Sequence, residues 1–134
     1  MGVSYILDTN IIISLQKGIL NEVLPLKTKG ISVITEMELR SFPHLNETQI
    51  FWLIRFIGSV PVLPLDEKVK ETAIMIRSQK KVKLPDAIIA ATAIVHHAVL
   101  LTNDMNLHTV EGLECQSLAV KQGNCHLPEN ITAH

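Results

Sequence analysis

Apolar residues fall along this chain in short runs of two kinds. Val3-Ser4-Tyr5-Ile6-Leu7 is compact, β-prone and stops at an acid, which predicts a buried strand. Asp8-Thr9-Asn10 then offers three candidate caps, and Ile11-Ile12-Ile13 with Leu15 begins a helix that Gly18 breaks. A second short helix is expected from Ile19 to Leu26. Behind Gly30, Ile31-Ser32-Val33-Ile34 reads as the second strand. Thr35, with Glu38 three residues on, has capping-box spacing and predicts a helix that Pro43 ends. Asn46 and Gln49 repeat that spacing ahead of Ile50, Leu53, Ile54 and Ile57, which share one helical face. Phe51, Trp52 and Phe56 lie partly off that stripe, so this helix has either extra core contacts or a surface for a partner.

Gly58 and Pro61 close that helix, and Val60–Leu63 can form a short strand. From Asp66 to Ser78 a helix places Val69, Thr72, Ala73 and Ile76 on one face. Gln79-Lys80-Lys81-Val82-Lys83 is a basic loop. Leu84-Pro85-Asp86 opens a helix running to His97, with proline in the favoured first turn, and Ala90, Ala91 and Ala93 permit close packing. Val99–Thr102 reads as a strand, Asn103-Asp104 as a turn, and Glu114–Leu118 as a last short strand. Strands alternating with helices predict an α/β fold with a mostly parallel sheet. Residues 1–120 are expected to form the domain and residues 121–134 a polar tail.

A length of 134 residues suits a single core, and 47% apolar residues are enough to build one. Twelve basic against thirteen acidic side chains leave a net charge of -1. No global basic field exists, so a polyanion would have to be met by a local patch or a bound cation. Only 4% of residues are aromatic, which argues against a base-stacking platform. Cys115 and Cys125 are too few for a disulfide scaffold and are expected as reduced thiols. With His126 and His134 they make a poor zinc pattern, and His96-His97 suits a helix C-terminus better than a ligand role. Met1–Ile6 lacks a basic leader region and no apolar run reaches the ~20 residues of a membrane span, so a cytoplasmic protein is expected.

Four acids occupy related addresses. Asp8 ends the first strand, Glu38 lies just after the second, Asp86 sits in a first helical turn, and Asp104 follows the Val99–Thr102 strand. Ligands of open α/β sheets bind at the carboxyl ends of strands, where these acids can gather. Each also has an ordinary use: Asp8 as an N-cap, Glu38 as the partner in a capping box, Asp86 as a helix-dipole complement and Asp104 as a turn residue. Four such uses coinciding at one sheet edge is the less economical account. Gathered carboxylates repel one another unless a cation sits among them, and hard oxygen donors without His or Cys select Mg2+ or Mn2+. That combination suits phosphodiester hydrolysis.

Tyr5-Ile6-Leu7-Asp8-Thr9-Asn10, the stretch Ile31–Leu39, Leu84-Pro85-Asp86-Ala87-Ile88-Ile89-Ala90-Ala91-Thr92-Ala93 and Leu100-Leu101-Thr102-Asn103-Asp104 resemble, in order and spacing, the four motifs of PIN-domain nucleases. The nearest resemblance is to small VapC-type toxins of bacterial toxin–antitoxin pairs, over about Tyr5 to Leu118. It implies a three-layer α/β/α domain that cleaves RNA with Mg2+ or Mn2+. The metal-binding, catalytic acids then map to Asp8, Glu38, Asp86 and Asp104, with Asn10 and Thr102 in supporting positions. The resemblance also implies a homodimer restrained by a small antitoxin. Two positions depart from the pattern: Ser41-Phe42-Pro43 stands where many relatives have a glycine, and Asn106 where many have a further acid. The second departure leaves open whether one metal or two would act.

Lys80, Lys81 and Lys83, with Arg77, are candidate RNA-phosphate contacts or else a solvated loop. Arg40 either contacts RNA or pairs with a neighbouring acid. Two other functions compete. A haloacid-dehalogenase-type phosphatase also begins with a strand and an Asp, but wants a second Asp where this chain has Asn10. A non-catalytic module with the same fold would bind RNA or protein without needing the acids.

Overall fold

The computed structural model describes residues 2–121. The tail expected over 121–134 lies almost wholly outside them, as do Cys125, His126 and His134. In chain order the elements are β1 (Tyr5–Leu7), α1 (Thr9–Lys17), β2 (Lys29–Ser32), α2 (Val33–Arg40), α3 (Glu47–Gly58), β3 (Val62–Leu63), α4 (Glu67–Gln79), α5 (Leu84–Val95), β4 (Val99–Leu101) and β5 (Cys115–Gln116). A 3-10 turn at Leu107–Thr109 separates the last two strands.

The strands form one sheet in the order β3-β2-β1-β4-β5. Each of these pairings is parallel, with Tyr5 opposite both Lys29 and Val99, Ile31 opposite Val62, and Leu100 opposite Cys115. Alternation along the strands explains the layers. Ile6 and Leu100 face one side, where Val69, Ala73 and Ile76 of α4 and the alanines of α5 cover them. Leu7, Ile31 and Leu101 face the other, packed by Ile11 and Ile12 of α1, Leu39 of α2 and Leu53 of α3. A three-layer α/β/α domain results. At Gly30 a Cβ would come within 3.0 Å of Val3 Cγ1 and 3.3 Å of the Pro61 carbonyl, so the residue lets β2 sit tightly between its neighbours.

Two expectations are corrected. Residues 19–26 form no helix; Asn21 N–H donates to the Ala119 carbonyl, Lys121 N–H donates to the Ile19 carbonyl, and Leu20 bridges Val120 in antiparallel fashion. Val23 and Leu26 are 88% and 96% exposed, so their apolar side chains mark no buried stripe. The second correction concerns the β2–α2 boundary. The strand ends at Ser32 rather than Ile34, and the Ser32 hydroxyl caps α2 by accepting the Ile34 N–H at 3.0 Å. Thr35 is therefore not a cap but a buried residue inside the first turn. By contrast, Asn46 and Gln49 form the expected capping box, with reciprocal bonds of 2.8 and 2.9 Å. Trp52 and Phe56 stack at 5.4 Å and pack against the core, whereas Phe51 is 61% exposed beneath the Arg55 guanidinium.

Candidate active site

The order in which strands are added switches sides at β1, since β2 lies on one side of β1 and β4 on the other. A crevice opens at such a switch point, beyond the carboxyl ends of the two strands. Asp8 leaves β1 and Thr102–Asp104 leaves β4 at that place. This topology brings two of the four expected acids, Asp8 and Asp104, to one edge of the sheet.

Asp8 is 4% exposed and caps α1, its Oδ1 accepting the Thr9 N–H at 2.8 Å. Its other oxygen accepts the buried Thr102 hydroxyl at 2.6 Å, across 94 residues of chain. Thr102 Oγ1 in turn accepts the Asp104 N–H at 3.0 Å, so one hydroxyl ties two of the acids together. Thr102, expected in a supporting position, thus lies in hydrogen-bond contact with Asp8 and with the Asp104 backbone. Glu38 is held from a different direction. The Thr9 hydroxyl donates to Glu38 Oε1 at 2.5 Å, and the Thr35 hydroxyl lies 3.3 Å from Thr9 Oγ1. Thus the Thr35–Glu38 spacing reports on a shared site rather than on a capping box. Thr9 is the residue that sequence reasoning missed: it was visible only as one of three candidate caps.

Charge reveals how the carboxylates face one another. Burial pushes the Asp8 carboxyl up to about 6, helped by the charges of Asp86 and Glu38 and opposed by the bonds from Thr102 and Thr9. Asp86, in the first turn of α5 behind Pro85, is also raised, first by burial and then by Asp104 and Glu38; Lys83 acts against them. Asp86 is therefore the neighbour common to the other three acids. Asn10 is the second residue of α1, and its Oδ1 is buried without a hydrogen-bond partner.

The basic residues divide. Asn106 N–H donates to Asp104 Oδ1 at 3.0 Å, and its side-chain amide reaches the Lys81 carbonyl at 3.4 Å. Arg77 Nε holds the Val82 carbonyl at 3.2 Å. The Lys80–Lys83 loop is thereby docked beside the Asp104 turn. Arg40 instead pairs with Glu36 at 3.3 Å on the exposed side of α2, the second of its two expected roles.

Among the described residues, no three His, Cys, Asp or Glu side chains are drawn closely enough together to hold a metal ion as they stand. The donor set nevertheless suits a hard divalent cation: Asp8, Glu38, Asp86 and Asp104 offer only carboxylate oxygens, and Asn10 adds an unpartnered amide oxygen. Such a cation would offset the burial cost, and then the repulsion, that raise Asp8 and Asp86. Cys115 is no competing ligand, since burial and then the Asp8 charge push its thiol up to about 11. No helix among the described residues is long and apolar enough to cross a membrane.

The sequence profile of the PIN domain matches residues 5–113. No match is found among curated proteins. Among solved structures, VapBC2 from Rickettsia felis bound to a promoter DNA fragment superposes with a TM-score of 0.73 at 21% identity, over 86% of this chain and 98% of that one. VapBC-1 from nontypeable Haemophilus influenzae gives a TM-score of 0.67 at 28% identity, over 84% of this chain and 96% of that one. A toxin-antitoxin complex from Klebsiella pneumoniae gives 0.65 at 29% identity, over 82% and 95%.

Proposed function

The chain belongs to the PIN domain family, and from that premise we propose that it is a metal-dependent endoribonuclease, the toxin of a toxin–antitoxin pair. The observation that carries this reading is Asp8: a buried strand-end carboxylate, hydrogen-bonded to Thr102 and raised to about 6 by burial and by the charges of Asp86 and Glu38. Capping α1 alone would not call for two further carboxylates near Asp8 at a fold's ligand-binding edge.

Asp8, Glu38, Asp86 and Asp104 would hold Mg2+ or Mn2+. Bound there, the ion supplies charge neutralisation at the scissile phosphate and activation of water. The protein's own groups do the rest. Thr102 fixes the orientation of Asp8, and Thr9 that of Glu38. One of the four carboxylates orients the attacking water and accepts its proton. Lys80, Lys81 and Lys83, on the loop docked beside Asp104, meet the neighbouring phosphates of the RNA. Arg40 is a further phosphate contact only if RNA draws it from Glu36, an exposed pair that holds it weakly.

A small antitoxin partner is supported by the likeness to the Klebsiella pneumoniae structure, which was solved as a toxin-antitoxin complex. The active form is a homodimer working in the cytoplasm, where its RNA substrate is found. The test is RNA cleavage by the purified chain with Mn2+ or Mg2+, with EDTA, and in Asp8→Asn and Glu38→Gln variants. Cleavage is expected only for wild type with metal. Wild-type rates from Asp8→Asn, or cleavage untouched by EDTA, would sink the reading.

A further inference from the structure

Thr102 is the joint of the site, and all of its polar groups are engaged. Its N–H donates to the Gln116 carbonyl at 3.1 Å, and its hydroxyl bonds Asp8 and the Asp104 amide. Its carbonyl lies at the end of β4, where the chain turns away toward Asp104. That carbonyl is 2.9 Å from Nε2 of His108. A carbonyl oxygen only accepts, so the ring nitrogen carries the hydrogen. The same nitrogen is 3.3 Å from the Ser117 hydroxyl, just beyond β5.

The bond closes a ring of backbone. It runs from Thr102 through Asp104 to the 3-10 turn and returns through the imidazole. Within the ring, the Leu107 N–H donates to the Asp104 carbonyl at 3.0 Å, and the fully buried Leu107 anchors the turn to the core. Asp104 thus sits on a loop fastened at one end by the Thr102 hydroxyl and at the other by His108. Were the imidazole removed, the Thr102 carbonyl would lose the only side-chain donor it has among the described residues.

We infer that His108 is a positioning residue for this site: its Nε2–H holds the Thr102 carbonyl and, through Thr102, keeps Asp8 and Asp104 in register. The role depends on donation and not on titration, because the neutral Nε2–H tautomer and the imidazolium both donate. It rests on the metal-dependent reading above and adds a residue to which the motifs of the chain give no role.

Glutamine places an amide N–H the same number of bonds from Cα as His Nε2, whereas asparagine stops one bond short. Three variants therefore separate donation from bulk: His108→Gln keeps the donor in place, His108→Leu removes it, and His108→Asn withdraws it while staying polar. Two readouts apply, with thermal unfolding as the check that each variant folds. In metal-free protein, hydrogen exchange of the Asp104 amide should quicken in His108→Leu and His108→Asn but not in His108→Gln. Calorimetry with Mn2+ should show affinity falling about tenfold in the same two variants, the range for residues that orient metal ligands, and recovering in His108→Gln. Should His108→Leu not fold, His108→Asn carries the loss-of-contact arm. Unchanged exchange and affinity in the variants lacking the donor would overturn the assignment, as would failure of His108→Gln to recover. Wild-type protein that binds no Mn2+ would overturn the metal-dependent reading as well, which distinguishes the two failures.

Discussion

Replacing Asp8 by asparagine should make the metal-free protein more stable while destroying its activity. Asp8 has an ordinary carboxyl value of 3.8 when unfolded and about 6 when folded. The native state therefore binds the proton more tightly than the unfolded state. Its stability is highest below 3.8, falls as the pH rises through the window from 3.8 to 6, and is flat above that window. A difference of roughly two units amounts to about 3 kcal/mol of destabilisation at pH 8. Because the side chain is 4% exposed, solvent does little to screen this cost. Asparagine removes the charge but not the shape. Its oxygen can still accept the Thr9 N–H, while its amide meets Thr102 Oγ1, whose hydrogen then loses its acceptor. That loss costs about 1 kcal/mol.

The expected net gain for Asp8→Asn is therefore about 2 kcal/mol at pH 8, or roughly 5–10 °C in melting temperature for a domain of this size. At pH 4, where native Asp8 is protonated, the variant should be no more stable than wild type. Urea unfolding of both proteins in EDTA, at several pH values between 4 and 8, measures the difference directly, and titration of the other acids largely cancels in it. Saturating Mn2+ should then reverse the order at pH 8, since an ion at about a hundred times its dissociation constant adds about 2.7 kcal/mol to wild type only. A difference that does not change with pH, or a variant less stable than wild type at pH 8, would refute the argument that Asp8 is held at an electrostatic cost.

Thr9→Val keeps the shape of the side chain but removes the donor to Glu38 Oε1; Mn2+ affinity by calorimetry should fall about tenfold, with at most about 1.5 kcal/mol lost from stability. Changing Lys80, Lys81 and Lys83 together to glutamine should weaken RNA binding and flatten its salt dependence by about two log units per log unit of salt, read from affinities across a salt series, while Mn2+ binding stays near wild type. Asn46→Ala breaks the α3 capping box and should cost about 1 kcal/mol in urea unfolding without changing the rate of RNA cleavage.

The parts of this fold that were legible in the sequence are those fixed by local chemistry. Pro85 opens α5 and Asn46 with Gln49 opens α3, because a cap or an N1 proline acts within one turn. Asp8 was legible as the end of a strand because a β-prone run stops there and a helical pattern begins. What escaped was set by distant partners. The β-branched Val33 and Ile34 look like strand, yet the register of β2 against β1 and β3 finishes at Ser32, and the Ser32 hydroxyl begins the helix there. Residues 19–22 lie against residues 119–121, a pairing across almost the whole domain that no local window can report. The site divides in the same way. The candidate acids were proposed from local position, Asp8, Glu38 and Asp104 after strands and Asp86 in a first helical turn, but Thr9 holding Glu38 and His108 holding Thr102 depend on contacts between elements.

Near-neutral net charge would ordinarily argue against an RNA-cutting protein. The arrangement of the site removes the objection, because an average says little about a field made of adjacent, opposite parts. Asp8, Glu38, Asp86 and Asp104 gather at one sheet edge, and Asn106 fastens the Lys80–Lys83 loop beside them. Without a cation the acidic half repels phosphate, so the basic loop alone would hold RNA poorly. On the proposed function, a divalent ion bound there would change the sign of the acidic half and leave the lysines unopposed, so affinity for RNA would itself depend on the metal. Binding should therefore weaken and cleavage stop together when the ion is removed, whereas Asp8→Asn, which removes one negative charge, should lose cleavage while its residual metal-free RNA binding is no weaker than that of wild type.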